Sequence, residues 1–364
     1  MKRSILLATL LVACRSRQGD PEELRDVFAR KSSSPVPVAS GSGAPSASGA
    51  PGAAAASARP RASAAPTSSA SSDEPPAVVS TRRAPVKGPC VSTAGEPLKK
   101  DPTFARRPGC RGAEIVEFGE ADGTPRYACV HRPDDVERRA PLPVVLFFHG
   151  KNESPTKVAR ETALRNLSDD VDLTGAAEHR GYVVLAPQAR RLQGHVGFDV
   201  GFVSDENADV RATDRFLELL EKRGWVDRRR IYAMGAGTGG HMAALYTMLR
   251  PERIAAYASY AGNAAPLRWT CQEAPPPAAV LYRACDAVTP CLDMEQWLRQ
   301  REETLAPTMA LRLGTYNQLE PSCSLDPFRC KLKSGTANHL RWPKGKERTM
   351  LEFLGRYSLD LAGP

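Results

Sequence analysis

The sequence predicts an α/β fold, a mostly parallel sheet flanked by helices and preceded by a disordered linker. Two observations carry that prediction. After residue 112, short apolar runs alternate with amphipathic segments, the pattern of a sheet covered by helices. Before it, in 31–89, 44 of the 59 residues are Ala, Ser, Pro or Gly and none is aromatic. Such a stretch buries too little apolar surface to offset the entropy of ordering it. What remains, 90–364, has the length of one large domain.

The strand candidates, in order, are 113–118, 126–131, 144–148, 182–186, 230–234, 254–259, 278–283 and 309–313. Each is a short apolar or alternating run, several of them bounded by Gly, Pro or Asp. Asp122-Gly123 between the first two is a turn dipeptide and suggests a hairpin. Residues 207–223 set Val210, Phe216, Leu217 and Leu220 largely on one helical face, and 155–167 and 293–304 also read as helices. Loops such as 188–207 would shape any ligand cleft.

The first 30 residues read as an address. Lys2 and Arg3 precede an apolar stretch, 5–13, that is too short to span a bilayer as a helix. The run Leu11-Val12-Ala13-Cys14 resembles a bacterial lipobox. That resemblance implies a signal peptide at 1–13, acylation of Cys14 and a mature N-terminus at 14–30; a plain secretory signal is the competing reading. Arg15 rather than Asp after the cysteine then implies a lipid-anchored protein of the bacterial cell envelope, on the outer membrane, with the linker holding the domain off the lipid.

Cysteine usage agrees with export. Apart from Cys14 there are eight, an even number that suggests disulfides, with Cys285 to Cys291 and Cys323 to Cys330 closing the shortest loops. No Cys-x-x-Cys pair occurs and the six histidines are scattered, which argues against a metal site. The net charge of +9 divides into +2 in 1–30, +4 in 31–89 and +3 in the foldable part. An ordinary soluble surface, with no basic stripe interleaved with aromatics, gives no reason to expect nucleic acid as a partner.

Four local features remain. Phe147-Phe148-His149-Gly150 ends a buried strand; Met234-Gly235-Ala236-Gly237-Thr238-Gly239-Gly240-His241 joins a strand to a helix through a tight turn; Asp286 follows a strand; and Asn338-His339-Leu340-Arg341-Trp342-Pro343 lies near the C-terminus. In this order they resemble the α/β-hydrolase fold, and within it the secreted esterases of the polyhydroxybutyrate depolymerase and feruloyl esterase group, over about 113–357. The stretch 209–229, ending Asp227-Arg228-Arg229, is similar to that group as well.

The resemblance implies Asp286 as the triad acid, His339 as the base, the amides of Lys151 and Thr238 as oxyanion donors, and no cofactor. The chain departs from it at one decisive position: the family's Gly-x-Ser-x-Gly is here Gly235-Ala236-Gly237-Thr238-Gly239, with Gly237 in the nucleophile's slot. Without a side chain, Asp286 and His339 have nothing to activate. The family's His-x-Trp-Pro is also longer by one residue, which bears on the reach of His339.

Two functions follow as expectations. One is a pseudoenzyme that keeps its cleft for an ester, polyester, glycan or protein ligand. The other is an active ester hydrolase that uses water, Thr238, or a hydroxyl such as Ser154 or Ser259. Thr238 stands one position past the tip, where its side chain should point away from the histidine. A purely structural role in the envelope would need neither. The glycines also satisfy Gly-x-Gly-x-x-Gly, but no acidic residue lies between Glu252 and Glu273 to hold a ribose, which argues against a dinucleotide site. His149, His195 and His241 read as packing or loop residues.

Overall fold

The computed structural model describes residues 81–101, 107–175, 180–262, 269–323, 330 and 332–361. The expected signal peptide, Cys14 and residues 31–80 of the expected linker lie outside the described residues.

The description opens with a short strand, β1 (Thr81–Arg83), then β2 (Glu114–Gly119), β3 (Pro125–His131), helix α1 (Val136–Arg139) and β4 (Leu142–Phe148). Two short helices, α2 (Lys157–Glu161) and α3 (Leu164–Leu167), lead to β5 (Val183–Pro187) and a small hairpin, β6 (Arg190–Leu192) with β7 (His195–Gly197). Helix α4 (Ala208–Lys222), β8 (Val226–Ala236), α5 (Thr238–Leu249), β9 (Ala256–Tyr260) and β10 (Ala278–Arg283) follow. Helix α6 (Cys291–Glu302), β11 (Thr308–Leu313), α7 (Leu332–Leu340), α8 (Glu347–Gly355) and β12 (Tyr357–Leu359) end the series.

Eight strands form one mixed sheet in the order β11-β10-β9-β8-β4-β5-β3-β2, antiparallel at β2–β3 and β3–β5 and parallel elsewhere. The expected α/β class and mostly parallel sheet flanked by helices are therefore present. All seven residues of β4, and all of β5, β9 and β10, are buried, which explains their continuous apolar runs. Alternate residues go to opposite faces. Val144, Leu146 and Phe148 join a cluster with Phe216 and Leu220 of α4, whereas Val145 and Phe147 join one with Met350 and Leu354 of α8. Each fully buried side chain of this size contributes roughly 1.5–3 kcal/mol.

Four expectations are corrected. The helix expected over 155–167 breaks into α2 and α3, because Thr162 is extended and its hydroxyl bonds back to the Val158 carbonyl at 2.7 Å. The segment 81–89, expected to belong to the linker, is instead part of the folded structure. Thr81–Arg83 pairs in parallel with Tyr357–Leu359 and Val86 is buried, a long-range pairing that composition cannot reveal. Within 188–207 the β6–β7 hairpin appears, paired from Arg190–Gly197 to Leu192–His195. The short disulfide loops give way to Cys285–Cys330 and Cys291–Cys323, beside Cys90–Cys271 and Cys110–Cys129. Loop length weighs little here, since each doubling adds only about 0.6 kcal/mol, so the folded positions decide. Cys291 opens α6 and belongs to the core cluster that holds Met294, while Cys285 lies two residues beyond β10.

Two buried histidines set an acid limit on this fold. Burial pulls the imidazole of His131 down to about 4, with Arg165 adding to it, and burial likewise brings His149 to about 4. A base whose folded value lies below its unfolded value of about 6.5 loses stability as pH falls from there towards 4, by up to about 3 kcal/mol each. Asp199, raised by burial, works in the opposite direction. The urea midpoint is expected to drop between pH 6.5 and 4.5 and to drop less in His131→Gln. An equal drop in both proteins would assign the acid sensitivity elsewhere.

Candidate active site

The turn between β8 and α5 is shaped by close backbone approach. Gly235 pairs in register with Phe148 of β4, and a Cβ on Gly239 would collide with the Phe148 and His149 carbonyl oxygens. Only glycine fits at 239. At the tip, Gly237 takes φ +53° and ψ −123°, and its amide donates to the Tyr260 carbonyl at 2.9 Å. That left-handed conformation strains any residue with a Cβ, so glycine relaxes the turn. Gly237 and Thr238 are half-buried, so the tip is reachable from solvent.

Asp286 follows β10 and is buried. One carboxylate oxygen accepts the amides of Val288 at 2.8 Å and Thr289 at 2.9 Å, while the other faces His339 Nδ1 at 3.0 Å. Neutral imidazole therefore carries its proton on Nδ1 and leaves Nε2 as an acceptor. His339 sits in the last turn of α7, and its Nε2 lies 3.1 Å from where a Cβ on Gly237 would stand. The longer His-to-Trp spacing thus leaves the histidine within reach of both partners.

The other expected residues separate clearly. Thr238 begins α5, so its amide has no partner within the helix, and the His339 ring stands over the preceding residue. Lys151 follows β4 in a loop held against the turn between β8 and α5. A Cβ on Gly150 would lie 3.3 Å from the Ala236 carbonyl, the Gly150 amide donates to Glu153 Oε2 at 2.6 Å, and Asn152 exchanges two hydrogen bonds with Val196. The Ser154 hydroxyl is shared with Thr156 at 2.5 Å, and buried Ser259 packs against Gly240.

His149 is fully buried and structural. Its Nε2 accepts the Ala189 amide at 3.1 Å, so Nδ1 holds the proton and donates to the Gly150 carbonyl at 2.9 Å. His195, on the β6–β7 hairpin, is lowered by burial and by Lys151. His241 is also lowered by burial, to about 4.

Sequence reading did not single out Arg283 or Tyr260, which with Asn338 hydrogen-bond one another and the backbone beside Asp286 and His339. The available signal was a charged residue closing the apolar strand Ala278–Arg283. The Cys285–Cys330 disulfide adds a covalent tie between the Asp286 segment and the chain just before α7. It closes a loop of separation 45. Cys285→Ser with Cys330→Ser is expected to lower stability by about 4 kcal/mol, read as a fall in the thermal midpoint. A midpoint unchanged within a degree would show the tie to be dispensable.

No protein-family model matches the chain, and no curated protein matches it. Among solved structures it is similar to a thermostable esterase, at 17% identity, with 68% of this chain and 64% of that chain covered and a TM-score of 0.46. The chain thus spans under two thirds of that esterase. It is similar also to native esterase 2 of the planctomycete Thermogutta terrifontis, at 15% identity over 65% of this chain and 90% of that chain, TM-score 0.44. The same esterase phosphorylated by paraoxon aligns at 17% identity over 57% and 84%, TM-score 0.43.

Proposed function

We propose that this chain is an esterase-like ligand-binding protein without an acyl-enzyme step, carried at the bacterial cell envelope by a lipid on Cys14. One observation supports the loss of chemistry: the tip of the β8–α5 turn that faces His339 Nε2 is Gly237, which has no hydroxyl to attack a carbonyl. Around it remain the Asp286–His339 pair, the Thr238 amide at the start of α5 and the Lys151 loop. Such groups suit a ligand bearing a carbonyl or hydroxyl, such as an ester, a polyester fragment or a glycan.

The intact 3.0 Å pair favours a second reading, in which His339 polarises a water and hydrolyses esters slowly without a covalent intermediate. The test uses the full chain and its His339→Ala variant with p-nitrophenyl acetate and a serine-directed phosphonate. Neither turnover above the variant nor a covalent adduct is expected. Turnover that His339→Ala abolishes, without an adduct, would select the second reading, and a phosphonate adduct would overturn both.

A further inference from the structure

Arg283 is the largest fully buried side chain among the described residues. None of the described ion pairs includes it, and every partner it has among the described residues is neutral. Its Nε donates to the Tyr260 hydroxyl at 2.8 Å, one terminal nitrogen to the Gly314 carbonyl at 2.6 Å, and the other to Asn317 Oδ1 at 2.7 Å and the Arg341 carbonyl at 3.0 Å. Burying a guanidinium without a carboxylate is costly, and the site offsets that cost only by giving each of its nitrogens an acceptor.

The partners explain its presence, because they bracket His339. The Tyr260 hydroxyl passes the interaction on, donating to the Asn338 carbonyl at 2.7 Å, and Asn338 Nδ2 donates to the Cys285 carbonyl at 2.9 Å, next to Asp286. On the other side, the Arg341 carbonyl is held directly, while Arg341 itself donates to the Thr315 carbonyl at 2.6 Å. Asn317, held at φ +63°, donates to the Lys344 carbonyl at 3.3 Å. The residue before His339 and the residue two after it are thus anchored to one planar fork, whose geometry lysine cannot reproduce.

We propose that Arg283, through Tyr260, is the positioning residue of His339, setting the imidazole against both Asp286 and the Gly237 tip. The inference rests on the assignment of His339 to the site above. The readout is the downfield proton resonance of His339 Nδ1–H in the full chain, assigned by its loss in His339→Gln, so no turnover is needed.

In folded Arg283→Met the resonance is expected to vanish or to exchange with solvent at least tenfold faster, with Arg283→Lys failing to restore it. Tyr260→Phe removes one hydroxyl and keeps the ring packed against Trp342, and it is expected to speed exchange tenfold even if Arg283→Met does not fold. A resonance unchanged in Tyr260→Phe or in folded Arg283→Met would overturn the positioning role. Absence of the resonance from the natural chain would instead overturn the His339–Asp286 pair itself, and with it the site.

Discussion

Gly237→Ser is expected to turn the chain into an esterase, hydrolysing p-nitrophenyl butyrate on the order of 10³-fold faster than the natural chain, or more. The geometry supports this at each step. The Cβ position at 237 already lies 3.1 Å from His339 Nε2, and Asp286 holds the opposite nitrogen at 3.0 Å. A hydroxyl there meets a base with its proton on the far nitrogen, the arrangement general-base activation requires.

The gain has a structural cost. A serine at φ +53° and ψ −123° is strained by about 1–3 kcal/mol, and the imidazole must yield by a few tenths of an ångström. The thermal midpoint should therefore fall by roughly 2–10 °C while activity rises. Adding His339→Ala to the serine variant should return it to silence. A folded serine variant that releases no nitrophenol would show that the Asp286–His339 pair is not aligned for acyl transfer.

Asp209→Ala is expected to be the most damaging single substitution for stability, by about 3–5 kcal/mol. Asp209 is completely buried at the start of α4. It accepts Arg126 at 2.9 Å, Arg190 at 3.0 and 3.3 Å, and the Asp199 amide at 2.8 Å. Burial alone would raise its carboxyl, but Arg190 and Arg126 hold it below the usual carboxylate range. Its stabilisation is accordingly present above an unfolded value near 4 and is lost as pH falls below that.

Truncation leaves Arg190 without its carboxylate and Arg126 with Glu120 alone, at 3.1 Å. Against a typical margin of 5–15 kcal/mol this is a large fraction. Glu206→Ala, which removes an exposed partner of Arg211, is the control and should change stability by less than about 1 kcal/mol. Equal urea midpoints for the two variants would mean that the buried cluster carries no more than a surface pair.

The strands were legible because burial writes directly into composition. The run 278–283 is β10 residue for residue, and each of the other seven expected runs overlaps a strand of the sheet. The candidate site was partly legible, since Gly237, Asp286 and His339, picked out by residue type and order, lie together in the structure. Arg283 and Tyr260 do not, because their meaning lies in which carbonyls they reach, 58 residues away for Arg283 to Arg341 and 78 for Tyr260 to Asn338.

The sequence by itself determined the alternation of strand and helix, the glycine tip without a nucleophile, and an even set of cysteines ready to pair. These are local properties of residue type and period, and they need no knowledge of neighbours in space. Only the tertiary structure decided which cysteines join, that Thr81–Arg83 pairs with Tyr357–Leu359, that Arg126 and Arg190 converge on Asp209, and that His339 reaches both Asp286 and Gly237. Those are contacts between residues far apart in the chain, and their geometry is fixed only when the sheet brings its strand ends together.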